Sequence, residues 1–188
     1  MPHRIDIDGI SQNLFLLKNL AFASQPFCEN FRVDRMDDED KPFGWPYYLG
    51  WLKSSVSELL LEVSIKFRVV QDFLKNEDFG IAEFKELERK ATPGIVLGRF
   101  LPSLSKLPIR EACNKIIHAT EVRLTWINAK DQEGSYEYWN GTVILQGVKG
   151  RQGWECELDL INFCIAMERL IAGLSVEVDW DHIYEYDE

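Results

Sequence analysis

The chain has 188 residues, 46% hydrophobic, 28% charged and 12% aromatic, with a formal net charge of −10. That length and composition fit one globular domain with a sizeable core and exclude a disordered chain. The charge sits in two segments, residues 29–40 with six acids and two bases and residues 175–188 with six acids and no base; the balanced remainder offers no basic stripe to release counterions from DNA.

Taken in chain order, residues 1–9 read as irregular. A first amphipathic helix is expected from Ser11, its N-cap, with Leu14, Leu17 and Leu20 on one face. The acidic segment 29–40 and the turn-rich KPFGWPYY form a connecting loop. Pro46 suits the first turn of a long helix in which Leu49, Leu52, Val56, Leu59, Leu60, Val63, Phe67, Val70 and Leu74 recur at three- and four-residue steps. A helix of about 28 residues at about 1.5 Å per residue would span the domain as its central pillar. FGIAEFKELERKA predicts a shorter helix, closed by the breaker Thr92-Pro93-Gly94. The aliphatics of IVLGRFLPSLSKLP fit a turn or short helix, and Pro108 opens another helix running to about Thr120.

The period then changes from helical to alternating. EVRLTWINA places Val122, Leu124 and Trp126 on one face of a strand and Arg123 and Thr125 on the other. TVILQG and GWECELDL read as arms of a hairpin joined by the Gly-rich GVKGRQG. This loop has glycines and cations suited to phosphate, but it leads into no helix and reads as a turn. The last helix carries Leu160, Phe163, Cys164, Met167, Leu170 and Ile171 inward, with Gly173 as its stop signal. The expected fold is α+β and mainly helical: a bundle over residues 11–120 and 160–174, a β-hairpin insert at 121–159 and an acidic tail at 175–188.

Cys28, Cys113, Cys156 and Cys164 form no CxxC pair, and three of them lie in apolar patterns, as buried reduced thiols do. His3, His118 and His182 are scattered without metal-ligand spacing, so neither metal nor cofactor is expected. No export signal and no apolar run of membrane-spanning length is present, which places the protein in the cytoplasm without a membrane partner.

Chemistry is best sought in PIREACNKIIHA, residues 108–119. At 100° per residue, Ile109, Ala112, Cys113, Ile116, Ile117 and Ala119 spread over one apolar face. Glu111 and Lys115 form a solvent pair opposite, and Arg110, Asn114 and His118 fill the border. Such a border is ordinary at the rim of a packed helix, where an arginine covers the core edge with its methylenes. REACNKIIHA also resembles the signature helix of HEPN-type domains, a superfamily of helical bundles that includes many RNases of toxin–antitoxin, abortive-infection and CRISPR systems. Their motif is an Arg, four to six residues and a His, with Asn, Asp or His often directly after the Arg. Asn114 and His118 match its second and last positions, while Cys113 occupies the arginine slot and seven residues separate Arg110 from His118.

The resemblance implies a bundle that pairs with a second copy and cleaves RNA without metal. His118 would move protons because an imidazole titrates near neutrality. Arg110 would hold the charged phosphoryl group through its donor fork, and Asn114 would orient. Arg110 and His118 are about 12 Å apart along the helix, so one phosphate reaches both only if two protomers contribute. Three functions follow as expectations. The first is a non-enzymatic interaction module that docks a second copy, or docks a protein partner through the acidic tail. The second is a metal-independent endoribonuclease, the only reading with RNA as partner, in which Arg110, Lys115, Lys149 and Arg151 gather around His118. The third is a small-molecule or nucleotide pocket lined by Trp126, Trp139 and Trp154.

Overall fold

The computed structural model describes residues 6–35, 44–74, 81–178 and 180. Its elements follow as α1 (Ile7–Phe31), α2 (Trp45–Leu74), α3 (Ile81–Ala91), β1 (Gly98–Leu101), α4 (Ile109–Ile117), β2 (Glu121–Lys130), β3 (Ser135–Lys149), β4 (Gln152–Asp159) and α5 (Leu160–Glu177). The architecture is α+β and mainly helical, with one four-stranded antiparallel sheet in the order β1-β4-β3-β2.

α1 starts five residues before the expected Ser11 cap. The Asp6 carboxylate accepts the Gly9 N–H at 2.8 Å and caps the helix there, while the Ser11 hydroxyl donates to the Ile7 carbonyl inside it. The helix continues through Pro26 until Arg32, in the left-handed region at φ 52°, returns its N–H to the Cys28 carbonyl. Part of the acidic segment predicted as loop is therefore helical; residues 36–43 lie outside the described residues.

α2 follows its periodicity. Leu52, Val56, Leu60, Val63, Phe67, Val70 and Leu74 are all buried, and Pro46 occupies the first turn, where its missing N–H has no helical partner to lose. α5 runs past its predicted stop to Glu177. Gly173 is a packing residue, because a Cβ there would meet the Leu87 Cδ2 of α3 at 3.0 Å. The acidic segment that begins at residue 175 thus starts inside a helix, and residues 181–188 lie outside the described residues.

The sheet is larger than the predicted hairpin, and it is not an insert confined to residues 121–159. β1, from the stretch expected as a turn or short helix, pairs Gly98 with Leu158 and Phe100 with Cys156. A Cβ on Gly98 would lie 2.0 Å from the Glu157 carbonyl oxygen, so only glycine lets the strands approach. β3 and β4 run into the predicted Gly-rich turn, leaving Gly150, at φ 64°, and Arg151 as the two-residue connection. Val122, Leu145, Cys156 and Phe100 form one cross-strand row facing the core. Arg123, Ile144, Glu157 and Arg99 form the next row, on the opposite face. The core joins this inner face to all five helices. Among the described residues, no helix is long and apolar enough to cross a membrane.

Candidate functional site

α4 is short, and its N-cap Pro108 makes no side-chain cap hydrogen bond. Packing holds it instead: Ile109, Ala112, Cys113 and Ile116 are buried, as the helical wheel predicts. Cys113 occupies the slot where the HEPN pattern has an arginine. Burial pushes its thiol up to about 12, with the Ser64 hydroxyl of α2 beside it, so it stays neutral and packs as a small apolar group.

The three border residues diverge. Arg110 reaches back to α2, where its Nη1 donates to Gln71 Oε1 at 3.1 Å. The same oxygen accepts from Arg68 at 2.6 Å, and Gln71 is only 3% exposed. Glu88 of α3 completes the cluster: its carboxyl is pushed above the ordinary value mainly by burial, against the pull of Arg110, and its Oε1 has no hydrogen-bond partner. Arg110 therefore ties α4 to α2 and α3. One turn on, Asn114 Nδ2 donates to Glu111 Oε1 at 3.1 Å. His118 is the C-cap; its backbone N–H bonds the Asn114 carbonyl, the next N–H, of Ala119, bonds the Ile116 carbonyl, and His118 itself is exposed.

Asn114 and His118 meet a different set of groups. A cavity of about 500 Å³ lies between the C-terminal half of α4 and the β3–β4 turn, lined by Glu111, Asn114, Lys115 and His118 on one side and Val148, Lys149, Gly150 and Trp154 on the other. Lys115 is not the simple solvent partner of Glu111 that the wheel suggests. Its Nζ lies 4.2 Å from the Trp154 ring centroid and 5.6 Å from that of Phe100, so two aromatic rings hold the ammonium. Trp154 in turn lies against Gly147, where a Cβ would come within 2.3 Å of its Cζ2. The structure thus brings Asn114, His118, Lys115 and Lys149 together and leaves Arg110 outside. Lys115 and Trp154 as a pair escape a sequence reading, because their meeting depends on the β1–β4 pairing, which sets Phe100 and Trp154 under α4.

The three indoles expected to line one pocket occupy three surroundings. Trp139 is buried and donates its Nε1 to the Thr142 carbonyl at 2.8 Å. Trp126 packs edge-on against Trp45 and Tyr48, and Trp154 lies beside Lys115. The register sets Trp154 apart: it pairs with Gly147 farther along β3, whereas Trp126 and Trp139 are direct partners across β2–β3. Among the described residues, no group of three or more His, Cys, Asp or Glu side chains is placed to hold a metal ion.

No protein-family model, curated protein or solved structure matches this chain. Fold and cavity together define an α+β, mainly helical protein whose charged cleft lies between a short helix and a hairpin turn. The HEPN resemblance covers residues 108–119 and a loosely compatible helical bundle.

Proposed function

We propose that this protein is a non-enzymatic interaction module that pairs with a second copy of itself through the outer faces of α1 and α2. The observation that carries this reading is the apolar surface those helices leave uncovered. Phe15 is 61% exposed and Phe22 67% on α1; Tyr47, Trp51, Leu61, Ile65 and Val69 stand out along α2 at 40–59%. Between the helices runs an apolar groove of about 340 Å³ lined by Leu20, Phe27, Tyr48, Trp51 and Leu52. Aromatic side chains carry about 150–250 Å² each. Four of them at this exposure offer about 450 Å², and the aliphatics extend the face toward the roughly 800 Å² per partner of a standard interface. A lone soluble domain rarely leaves so many large apolar side chains exposed on two neighbouring helices.

The position of Arg110 supports a non-enzymatic role. A metal-independent nuclease needs a cation and a proton-transfer group on one phosphate, and here the arginine is engaged by Gln71 while His118 faces the cleft. Light scattering on a sizing column tests the pairing. Wild type is expected at twice the monomer mass at micromolar concentration, and Trp51→Glu or Ile65→Glu at the monomer mass with unchanged circular dichroism. A wild type that stays monomeric at high micromolar concentration would remove this reading.

A further inference from the structure

The cleft beside α4 has a composition at odds with the rest of the chain. In a protein of net charge −10, it gathers Lys115 and Lys149 with one carboxylate, Glu111, whose Oε1 already accepts from Asn114. Among the described residues no carboxylate forms an ion pair with Lys115, Lys149 or His118, whereas Arg32, Lys66 and Arg123 each hold two acids. Two lysines without an acid partner on one cavity make a local excess of positive potential that favours an outside anion.

Lys115 is also pre-placed. The rings of Phe100 and Trp154 fix its ammonium, and a lysine already ordered loses less side-chain entropy when it binds. Lys149 reaches the same cavity from the strand end just before the Gly150–Arg151 turn, and His118 adds a ring nitrogen from the helix end. The cleft opens at the C-terminus of α4, where the helix dipole opposes an anion. That opposition is reduced because the Asn114 carbonyl is bonded by the His118 N–H and the Ile116 carbonyl by the Ala119 N–H.

We propose that this cleft binds the phosphate group of a small phosphate monoester, held by Lys115, Lys149 and His118. Three donor-bearing side chains line the cavity from two elements, a number and charge suited to the three terminal oxygens and near-dianionic charge of a monoester. A carboxylate offers two oxygens and half the charge. Recognition stops at the phosphate: Lys115 lies over the Trp154 ring and leaves that face closed to a stacked base. The site stands apart from the pairing of α1 and α2, and it involves no bond cleavage.

The test is a titration of the ¹⁵N-labelled protein, followed by amide shifts at residues 115–118 and 148–151, at ionic strength held constant with sodium chloride. Inorganic phosphate and adenosine 5′-monophosphate are both expected to give saturable shifts confined to those residues, and adenosine none. Lys149→Gln, a change at an exposed position, is expected to weaken the response about tenfold or more, as loss of one charge-assisted hydrogen bond does. Lys115→Met, which keeps the contact with the rings, should do the same with an unchanged melting temperature. Shifts that adenosine reproduces, that chloride alone produces, or that survive both substitutions would overturn the proposal. Saturation by a short RNA lacking a terminal phosphate, at concentrations where phosphate gives none, would overturn it as well and assign the cleft to a phosphodiester.

Discussion

Glu88 is the residue whose surroundings fit its chemistry least. It projects from α3 into the junction with α2 and α4, where burial raises its carboxyl above the ordinary 4.5 and Oε1 finds no donor, even with Arg110 pulling the other way. A carboxyl raised in the folded state keeps its proton at pH values where the unfolded chain has already lost it. Its penalty is therefore absent below the ordinary glutamate value, grows as pH rises from there toward the folded value, and stays constant above. Glu88→Gln removes the charge while keeping the shape. The substitution is expected to stabilise by about 1 kcal/mol at pH 7, which is several degrees in melting temperature for a domain of this size. The gain should shrink toward zero near pH 4. Thermal melts of both proteins across pH 4–7 check this; a gain that does not vary with pH would assign the effect to something other than the carboxyl charge.

At the scale of elements, how well each one could be read depended on where its partners lie in the chain. α2 and α5 were legible because each buries one face all along its length, and that writes a helical period into the residues. β1 was not, since four residues hold no period and its partner β4 lies more than 50 positions on. The end of α5 was misread because Gly173 serves its contact with Leu87 rather than a cap. The border residues of α4 were legible as a set, but the divergence of Arg110 from His118 depends on Gln71, some 40 positions upstream. Ser24 shows how such distant joints work. Its hydroxyl, 1% exposed on α1, receives the Tyr48 hydroxyl of α2 at 2.9 Å and the Trp139 N–H of β3 at 2.9 Å. One oxygen therefore fastens three elements. Ser24→Ala would leave the Trp139 N–H without its acceptor and the Tyr48 hydroxyl with only the Cys28 sulfur beside it, and the expected loss is about 1–3 kcal/mol in chemical denaturation. A loss below about 0.5 kcal/mol would mean that both donors find another partner.

At the scale of the whole molecule, the four cysteines report on how the fold opens. All are free and buried, and burial pushes their thiols up to about 11 at Cys28 and Cys156 and about 12 at Cys113 and Cys164. A thiol in the unfolded chain has a pKa of about 8.5, so at pH 8 a sizeable fraction is reactive thiolate; each folded thiol is almost wholly protonated and also shielded. Labelling with a chromogenic disulfide at pH 8 should therefore follow unfolding rather than intrinsic thiol reactivity, and the native protein is expected to release essentially no chromophore. The positions of the thiols make the denaturant dependence informative. Cys113 sits on α4, Cys156 on β4 and Cys164 on α5, all in the main core, whereas Cys28 lies with Val33 and Tyr136 in a smaller cluster at the far end of α1. If the two clusters open together, all four cysteines label along a single urea transition that coincides with the loss of circular dichroism. If the end of α1 opens by itself, Cys28 labels first, at a urea concentration where the helix signal is still nearly intact. The Arg32 pairs with Asp131 and Glu133 and the Ser24 joint both tie that end of α1 to β3 and the β2–β3 connection. The single transition is therefore the expected outcome, and early labelling of Cys28 in the wild type would show that these ties do not hold the two clusters together.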